Sequence, residues 1–485
     1  MGQANPSFNP SDSPPELSLE ANMPLYFAGF IIFVLTVALT IVALVLPTQF
    51  AFIPLLIPLT IIFGLMALAR PELALLGIIL FVPFEDSAYL RQVIPSVLSP
   101  GKTMGAILIG AITFNIFFRG YRFRIMDDPY DFAILALLGM LLVSGVTSRF
   151  PGQVLDTADR MIMVFFLYFA TKNLIRSRNI LNWIMWGVVI TATVATVFGI
   201  NDFFQARQVR IHDIRVGGLN MHPNTYAVMT VFAISIGLYL LKSVPHWGYQ
   251  LLVLIFVFIL SAGTVLSASR GGLLALAAIG VIYIWRQKQR KLLFSLAAVG
   301  VILSFPFWPD SVTARFLPTE EETIYSEVAE HSTQRRMSYV TFGLNLIAES
   351  PLTGKGYGTF ALYYPESEFA RYDNPLDSKG LNRVAHNAFL EIAFGTGLIG
   401  LAAFLAVWLI AWYGLRQTMK QFPEGSTEWA MAGGLELALI AMALTSLLLS
   451  IEFLKYLWIT IGLSSALFYM SRQANLKQQA QRDPV

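Results

Sequence analysis

The sequence predicts an all-α integral membrane protein: a polytopic helical bundle of about 12 to 14 transmembrane helices with one large extramembrane loop that contains helices of its own. Three observations lead there. Apolar residues make up 56% of the 485, against 13% charged, a balance foreign to a water-soluble domain. Apolar stretches of roughly 17 to 25 residues, enough for a helix to cross about 30 Å of hydrocarbon, recur from one end of the chain to the other. Lys and Arg cluster at every second connection between those stretches, the alternation expected when cytoplasmic loops collect positive charge.

Residues 1–22 are rich in Pro, Ser and Asn and lack a basic n-region, so they read as a disordered cytoplasmic tail with no cleavage expected. Candidate spans follow at 24–46, 50–69, 73–84, 103–118, 131–148, 155–171, 180–200, 223–241, 249–267, 271–285, 292–308, 387–413, 431–450 and 454–470. The third is too short to cross unaided, and the sixth opens with Asp156, Asp159 and Arg160, so re-entrant or half helices are expected among them. The domains are then an N-terminal transmembrane bundle over 23–308, a large periplasmic loop over 309–385, C-terminal transmembrane helices over 386–470 and a basic cytoplasmic tail over 471–485.

The orientation rests on the basic clusters. Arg119, Arg122 and Arg124, then Lys172, Arg176 and Arg178, then Arg286, Lys288, Arg290 and Lys291, with Arg416, Lys420 and the tail, all fall on one side if both termini are cytoplasmic. The 309–385 loop then faces the periplasm of a bacterial inner membrane.

Composition also excludes. With no cysteine there are no disulfides and no thiolate metal sites. The five histidines are scattered, and neither an Asp-x-Asp nor a His-Glu-x-x-His pattern is present, so no metal site and no cofactor are expected. Nothing points to nucleic acid.

Several groups on the outer side carry chemistry. The segment Arg207-Gln-Val-Arg210-Ile-His212-Asp-Ile-Arg215-Val-Gly217-Gly218 leads to Asn224 at the start of a span. Its arginines defy the topological bias, and either bind lipid phosphates at the interface or, at Arg215, approach a ligand that the two glycines let near the backbone. The guanidinium fork matches phosphate oxygens. Arg270 lies in a tight Ser-Arg-Gly-Gly turn between two spans; close helix packing around a snorkelling Arg explains that turn equally well. In the long loop, residues 332–350 have helical apolar spacing with Arg335 and Arg336 in the first turn. The run Leu352-Thr-Gly354-Lys-Gly356-Tyr-Gly358 follows, a tight backbone rather than a P-loop. His386-Asn387 then opens a span that contains Gly397 and Gly400. A histidine there is either a cap or a base: a helix N-terminus disfavours the imidazolium and keeps a neutral, basic nitrogen available. Glu391 reads as a helix-face residue. Asp156, Asp159 and Arg160 either line a cavity or pair with one another.

Taken in order, Arg215 with Asn224, the Ser269-Arg270-Gly271-Gly272 turn, Arg336 ahead of Pro351-Leu-Thr-Gly354-Lys-Gly356, and His386-Asn387 with Gly397 and Gly400 resemble the O-antigen ligase and polymerase superfamily over roughly residues 210–410. The resemblance implies a metal-independent, inverting membrane glycosyltransferase acting on glycans linked to undecaprenyl pyrophosphate. It casts Arg215 and Arg336 as the pyrophosphate grip, with Arg270 as a lesser contributor. His386 would be the base, and Asn224, Gly354, Gly356, Asn387, Gly397 and Gly400 would support them. The family usually has Trp four residues after the loop Arg; here Val340 stands there with Tyr339 beside it, which leaves Arg335 as an alternative to Arg336. The implied partners are the lipid-linked glycan donor, a glycan or lipid acceptor, and membrane lipids. A ligase, a polymerase that extends the lipid-linked glycan, and a small-solute transporter are the functions in play. The absence of internal repeats weighs against the last.

Overall fold

The computed structural model describes residues 53–85, 87, 99–208, 215–219, 221–305, 308, 323–373 and 383–482; the expected tail at 1–22 and first span at 24–46 lie outside them. The described residues are helical, with no strand among them. In chain order the helices are α1 Ile53–Ala69, α2 Pro71–Phe81, α3 Pro100–Arg119, α4 Pro129–Thr147, α5 Pro151–Leu174, α6 Arg178–Gln208, α7 Pro223–Ser243, α8 Trp247–Leu266, α9 Arg270–Trp285, α10 Arg290–Ser304, α11 Thr323–Glu349, the short α12 Phe360–Tyr363 and α13 Glu368–Asp373, then α14 Ala388–Gln421, α15 Thr427–Ser446 and α16 Lys455–Arg482.

Local chemistry sets the helix starts. Pro71, Pro100, Pro129, Pro151 and Pro223 each occupy the first turn of a helix, where a missing N–H costs nothing. Asp128, Ser269, Asn387 and Ser426 cap α4, α9, α14 and α15 by accepting a backbone N–H with their side chains.

Seven described helices are long and apolar enough to cross a membrane by length and composition: α3, α4, α6, α7, α8, α14 and α15. The other expected spans that fall within the described residues are helices too, but α2, α9 and α10 have only 11, 16 and 15 residues. The surface is that of a bilayer protein. Phe117, Val146 and Phe258 are more than 70% exposed, whereas Thr171, Thr193, Ser235 and Thr264 are buried and hydrogen-bond carbonyls of their own helices. Polar groups turn inward because lipid cannot satisfy them.

The bundle is organised around α7 and α15, which pack closely. Added side-chain carbons at Gly433 and Gly434 would lie 2.1 Å from the Tyr239 ring and 2.9 Å from the Ile236 backbone, so only glycine permits this approach. α14 packs on α4, α15 and α16, and α5 on α16.

The 332–350 helix of the sequence reading starts earlier, at Thr323. α11 lies on α14 and shares with it a second, smaller core of Tyr339, Ile347, Phe360, Tyr364, Ala385 and Phe394. Beneath it α14 is broken. Gly397 has φ 73° and ψ −176°, a left-handed φ costly to any residue with a side chain. The 351–356 loop fills the break: Lys355 and Gly356 donate to the carbonyls of Phe394 and Gly395 at 2.8 and 3.1 Å, and Leu398 donates to that of Pro351 at 2.7 Å.

Candidate active site

Three helix N-termini and the middle of α11 meet at the end of the bundle that carries the 323–373 segment. The α14 start is the best defined. Asn387 caps it, accepting the Leu390 N–H at 3.0 Å, so the cap is Asn387 and not His386. His386 itself sits at φ 50°, a conformation that costs a residue with a Cβ of order 1 kcal/mol or more and that clusters at functional sites. Its ring lies 6.0 Å from that of Tyr339 on α11.

Cationic side chains act on the imidazole. Its pKa is pushed down to about 4, first by burial and then by the charges of Arg336, His222 and Arg383. His386 is therefore neutral at physiological pH. The sequence had attributed that to the helix terminus; burial and neighbouring cations are the larger causes. Burial and the charge of Arg270 lower the Arg336 pKa from its ordinary value, against a smaller opposing effect of Tyr339. His222 is lowered by burial and then by Arg215. The charges of Arg336, His222 and Arg383 thus act on His386, that of Arg270 on Arg336 and that of Arg215 on His222, so these groups are neighbours. Of the two adjacent arginines on α11, it is Arg336 whose charge acts on His386 and Arg270. Arg336 has no hydrogen bond or ion pair among the described residues.

Arg215 is differently placed. Its Nε donates to the Ser267 carbonyl at 2.8 Å, and one terminal nitrogen donates to Asn224 Oδ1 at 3.1 Å and to the Ala268 carbonyl at 3.4 Å. Val216 N donates to the Leu266 carbonyl at 3.1 Å. Arg215 thus ties the segment before α7 to the turn between α8 and α9, where Ala268 has φ 50° and from which Arg270 projects. Ser269 caps α9 by accepting the Gly272 N–H. Asn224 is an acceptor for Arg215, which is how it supports the site.

The glycines singled out in the sequence have packing roles. A side-chain carbon at Gly354 would lie 2.5 Å from the Gly395 carbonyl carbon, and one at Gly397 2.3 Å from the Leu352 carbonyl oxygen: loop and broken helix touch backbone to backbone. Gly356 fits against Ser148 and Gly400 against Thr396. Gly217 and Gly218, expected to admit a ligand, instead make a tight turn toward Met221 and pack on Gly199 of α6. Asp156, Asp159 and Arg160 are exposed on α5 and form no ion pair with one another; Arg160 lies over the Phe453 ring at 5.8 Å.

Sequence reasoning passed over Tyr339, His222 and Arg383 as site residues. Only His222 carried a usable signal: it caps α7 by accepting the Asn224 N–H, at a helix start much like that of α14 beside His386.

The fold and the site together define a multi-pass helical membrane protein with a cationic, histidine-bearing centre at converging helix starts. Residues 255–405 match the O-antigen ligase family model. That stretch includes Arg270, Arg335, Arg336, Gly354, Gly356, His386, Asn387, Gly397 and Gly400, and leaves Arg215 and Asn224 outside. It supports an O-antigen-ligase type of function. No curated protein matches the chain.

Proposed function

We propose that the protein transfers a glycan from undecaprenyl pyrophosphate to an acceptor hydroxyl at the periplasmic face of the bacterial inner membrane, by a single inverting displacement without a metal. One observation carries this reading: Arg336, half-buried and with no partner among the described residues, faces Arg270 and a neutral His386. Cations held together against their mutual repulsion suit a pyrophosphate, the leaving group of the donor.

The chemistry follows from the leaving group. Pyrophosphate departs as an anion and needs charge stabilisation rather than a proton, which Arg336 and Arg270 supply. His386 accepts the proton of the acceptor hydroxyl, the hydroxyl oxygen bonds to the anomeric carbon, and the bond from that carbon to the pyrophosphate oxygen breaks on the opposite side, carrying its electron pair to the lipid pyrophosphate. A pKa of about 4 makes a weak base. The bound pyrophosphate offsets the surrounding positive charge and raises it toward the working pH, so His386 becomes an effective base when the donor is in place.

Arg215 contributes by holding the turn that carries Arg270. The carboxylates close enough to share a metal, Asp127, Asp128 and Asp131, already surround the ammonium of Lys172 and lie at the other end of α4 from the site.

Purified protein supplied with lipid-linked glycan and acceptor tests the reading. His386→Ala is expected to lower turnover by about 10²–10⁴-fold while donor binding persists, and His386→Asn to fall as far, with chelator leaving the parent unchanged. Normal turnover by the Asn variant would remove His386 from the mechanism.

A further inference from the structure

Directly behind the candidate base is a pair of buried carboxyl groups that the mechanism does not use. Glu391, in the first turn of α14, is 4% exposed, and Glu452, in the connection between α15 and α16, is 0% exposed. Glu391 Oε2 accepts the backbone N–H of Ala385 at 3.1 Å. Ala385 is itself buried and immediately precedes His386. Its N–H lies ahead of the cap, beyond the reach of the helix ladder, and a buried amide left without a partner is destabilising. A capping box sends the third helical residue back to the cap N–H. Here that residue is Leu390, and Glu391, one position later, reaches back past the cap to the residue before the histidine.

The restraint is needed where it acts. His386 stands at φ 50° between two fixed points: Asn387, held by Leu390 N–H, and Ala385, held by Glu391. Ala388 N donates to the Leu449 carbonyl at 3.2 Å, so the same turn is anchored to the connection that carries Glu452. Neither oxygen of Glu452 has a hydrogen-bond partner among the described residues, and burial, with the neighbouring Glu391 carboxyl, holds its pKa well above the usual carboxylate range. Of the pair, Glu391 is the one engaged as an acceptor, through its bond from Ala385 N–H.

We propose that Glu391 is a positioning residue for His386, its buried carboxyl holding the Ala385 N–H so that the left-handed turn at His386 keeps the imidazole facing Arg336 and the acceptor. This rests on the reading of His386 as the base.

Substitutions at 391 separate geometry from charge in the purified, full-length protein. Gln retains a carbonyl acceptor at the same reach, so Glu391→Gln is expected to lose no more than about threefold in kcat. Glu391→Asp keeps the carboxyl but draws the acceptor back by one methylene, and is expected to lower kcat about 100-fold, the scale of a displacement of roughly 1 Å at a reacting group. KM for the lipid-linked donor should not change in either, because the arginine grip does not depend on the 385–387 turn. The parallel His386→Ala assay keeps the two ideas apart. If that variant is active, the reading of His386 as the base fails. If it is inactive while Glu391→Asp turns over normally, or while Gln is as damaging as Asp, the positioning role is overturned and the mechanism stands. Both 391 variants keep a polar, hydrogen-bonding side chain of similar size. A thermal melt within a few degrees of the parent confirms that kcat, and not folding, is being read.

Discussion

The candidate site and the far end of the helical bundle treat positive charge in opposite ways. At the end away from the site, cations are matched to carboxylates. Glu436, 0% exposed, accepts from Arg286 at 2.8 Å and from Arg416 at 2.5 Å. Lys172, also 0% exposed, is enclosed by Asp127, Asp128 and Asp131, and Arg178 and Lys242 pair with Glu428 and Glu424. At the site end Arg336 faces Arg270 and two histidines, with no carboxylate bonded to it among the described residues. Matched charge holds helices together; charge left to repel its neighbours is held by the fold for an anion that arrives later.

That contrast can be broken at its strongest point first. Arg336→Ala should lower kcat/KM by about 10²–10³-fold, as for removal of a group that stabilises developing negative charge, and Arg336→Lys should recover only part of it because the planar fork is lost. Equal activity in parent, Ala and Lys variants, measured with purified components, would leave the site end with no anion to bind.

A pH profile sharpens the same comparison. The free protein holds His386 neutral down to about pH 4, and a base works only when deprotonated. The acid limb of kcat/KM is therefore expected near 4, with no loss as pH falls from about 8 to 5. Bound pyrophosphate favours the protonated imidazole, so the acid limb of kcat should lie at higher pH than that of kcat/KM. Coincident limbs would mean that the anion does not sit beside His386.

Smaller effects are expected at the matched end. Glu436→Gln leaves Arg286 and Arg416 without their shared carboxylate and should cost roughly 1–3 kcal/mol of stability, read as a lower melting temperature with kcat unaltered. A drop in kcat at equal stability would tie that end to the chemistry. Single cysteines at Lys288 and Pro365, in a chain with none of its own, should not affect turnover at all. An impermeant thiol reagent on intact cells should label position 365 and spare 288; the reverse pattern would invert the orientation.

Much of this was readable in the residues. Proline at a first turn and Asp, Ser or Asn before a helix mark starts locally, and α4, α7, α9 and α14 begin within two residues of where the sequence expects, whereas α5 begins at Pro151, four residues before the expected 155. His386-Asn387 stood out for the same reason. The number of crossings was less legible, because an 11-residue α2 or a 16-residue α9 is recognised by its neighbours rather than by its own length. Long-range backbone contacts left no local trace. Nothing near Gly354 announces that it lies against Gly395, and nothing near Arg215 announces that its guanidinium is committed to Ser267, Ala268 and Asn224. Glu391 has the spacing of a helix-face residue, and its backward reach to Ala385 appears only once the turn at His386 is folded.

The break in α14 has one further consequence. Because Gly397 interrupts the helix, the short stretch after His386 serves two cores at once, Leu390, Ala393 and Phe394 facing the small aromatic one shared with α11 and Ala388 and Ile392 the main one. Arg336 and His386 flank the small core, while Arg270 and His222 stand at the starts of α9 and α7. A few backbone hydrogen bonds from residues 351–356 fill the break between them and the span below. A side chain forced into that joint at Gly354 would detune the reaction from a place no substrate touches.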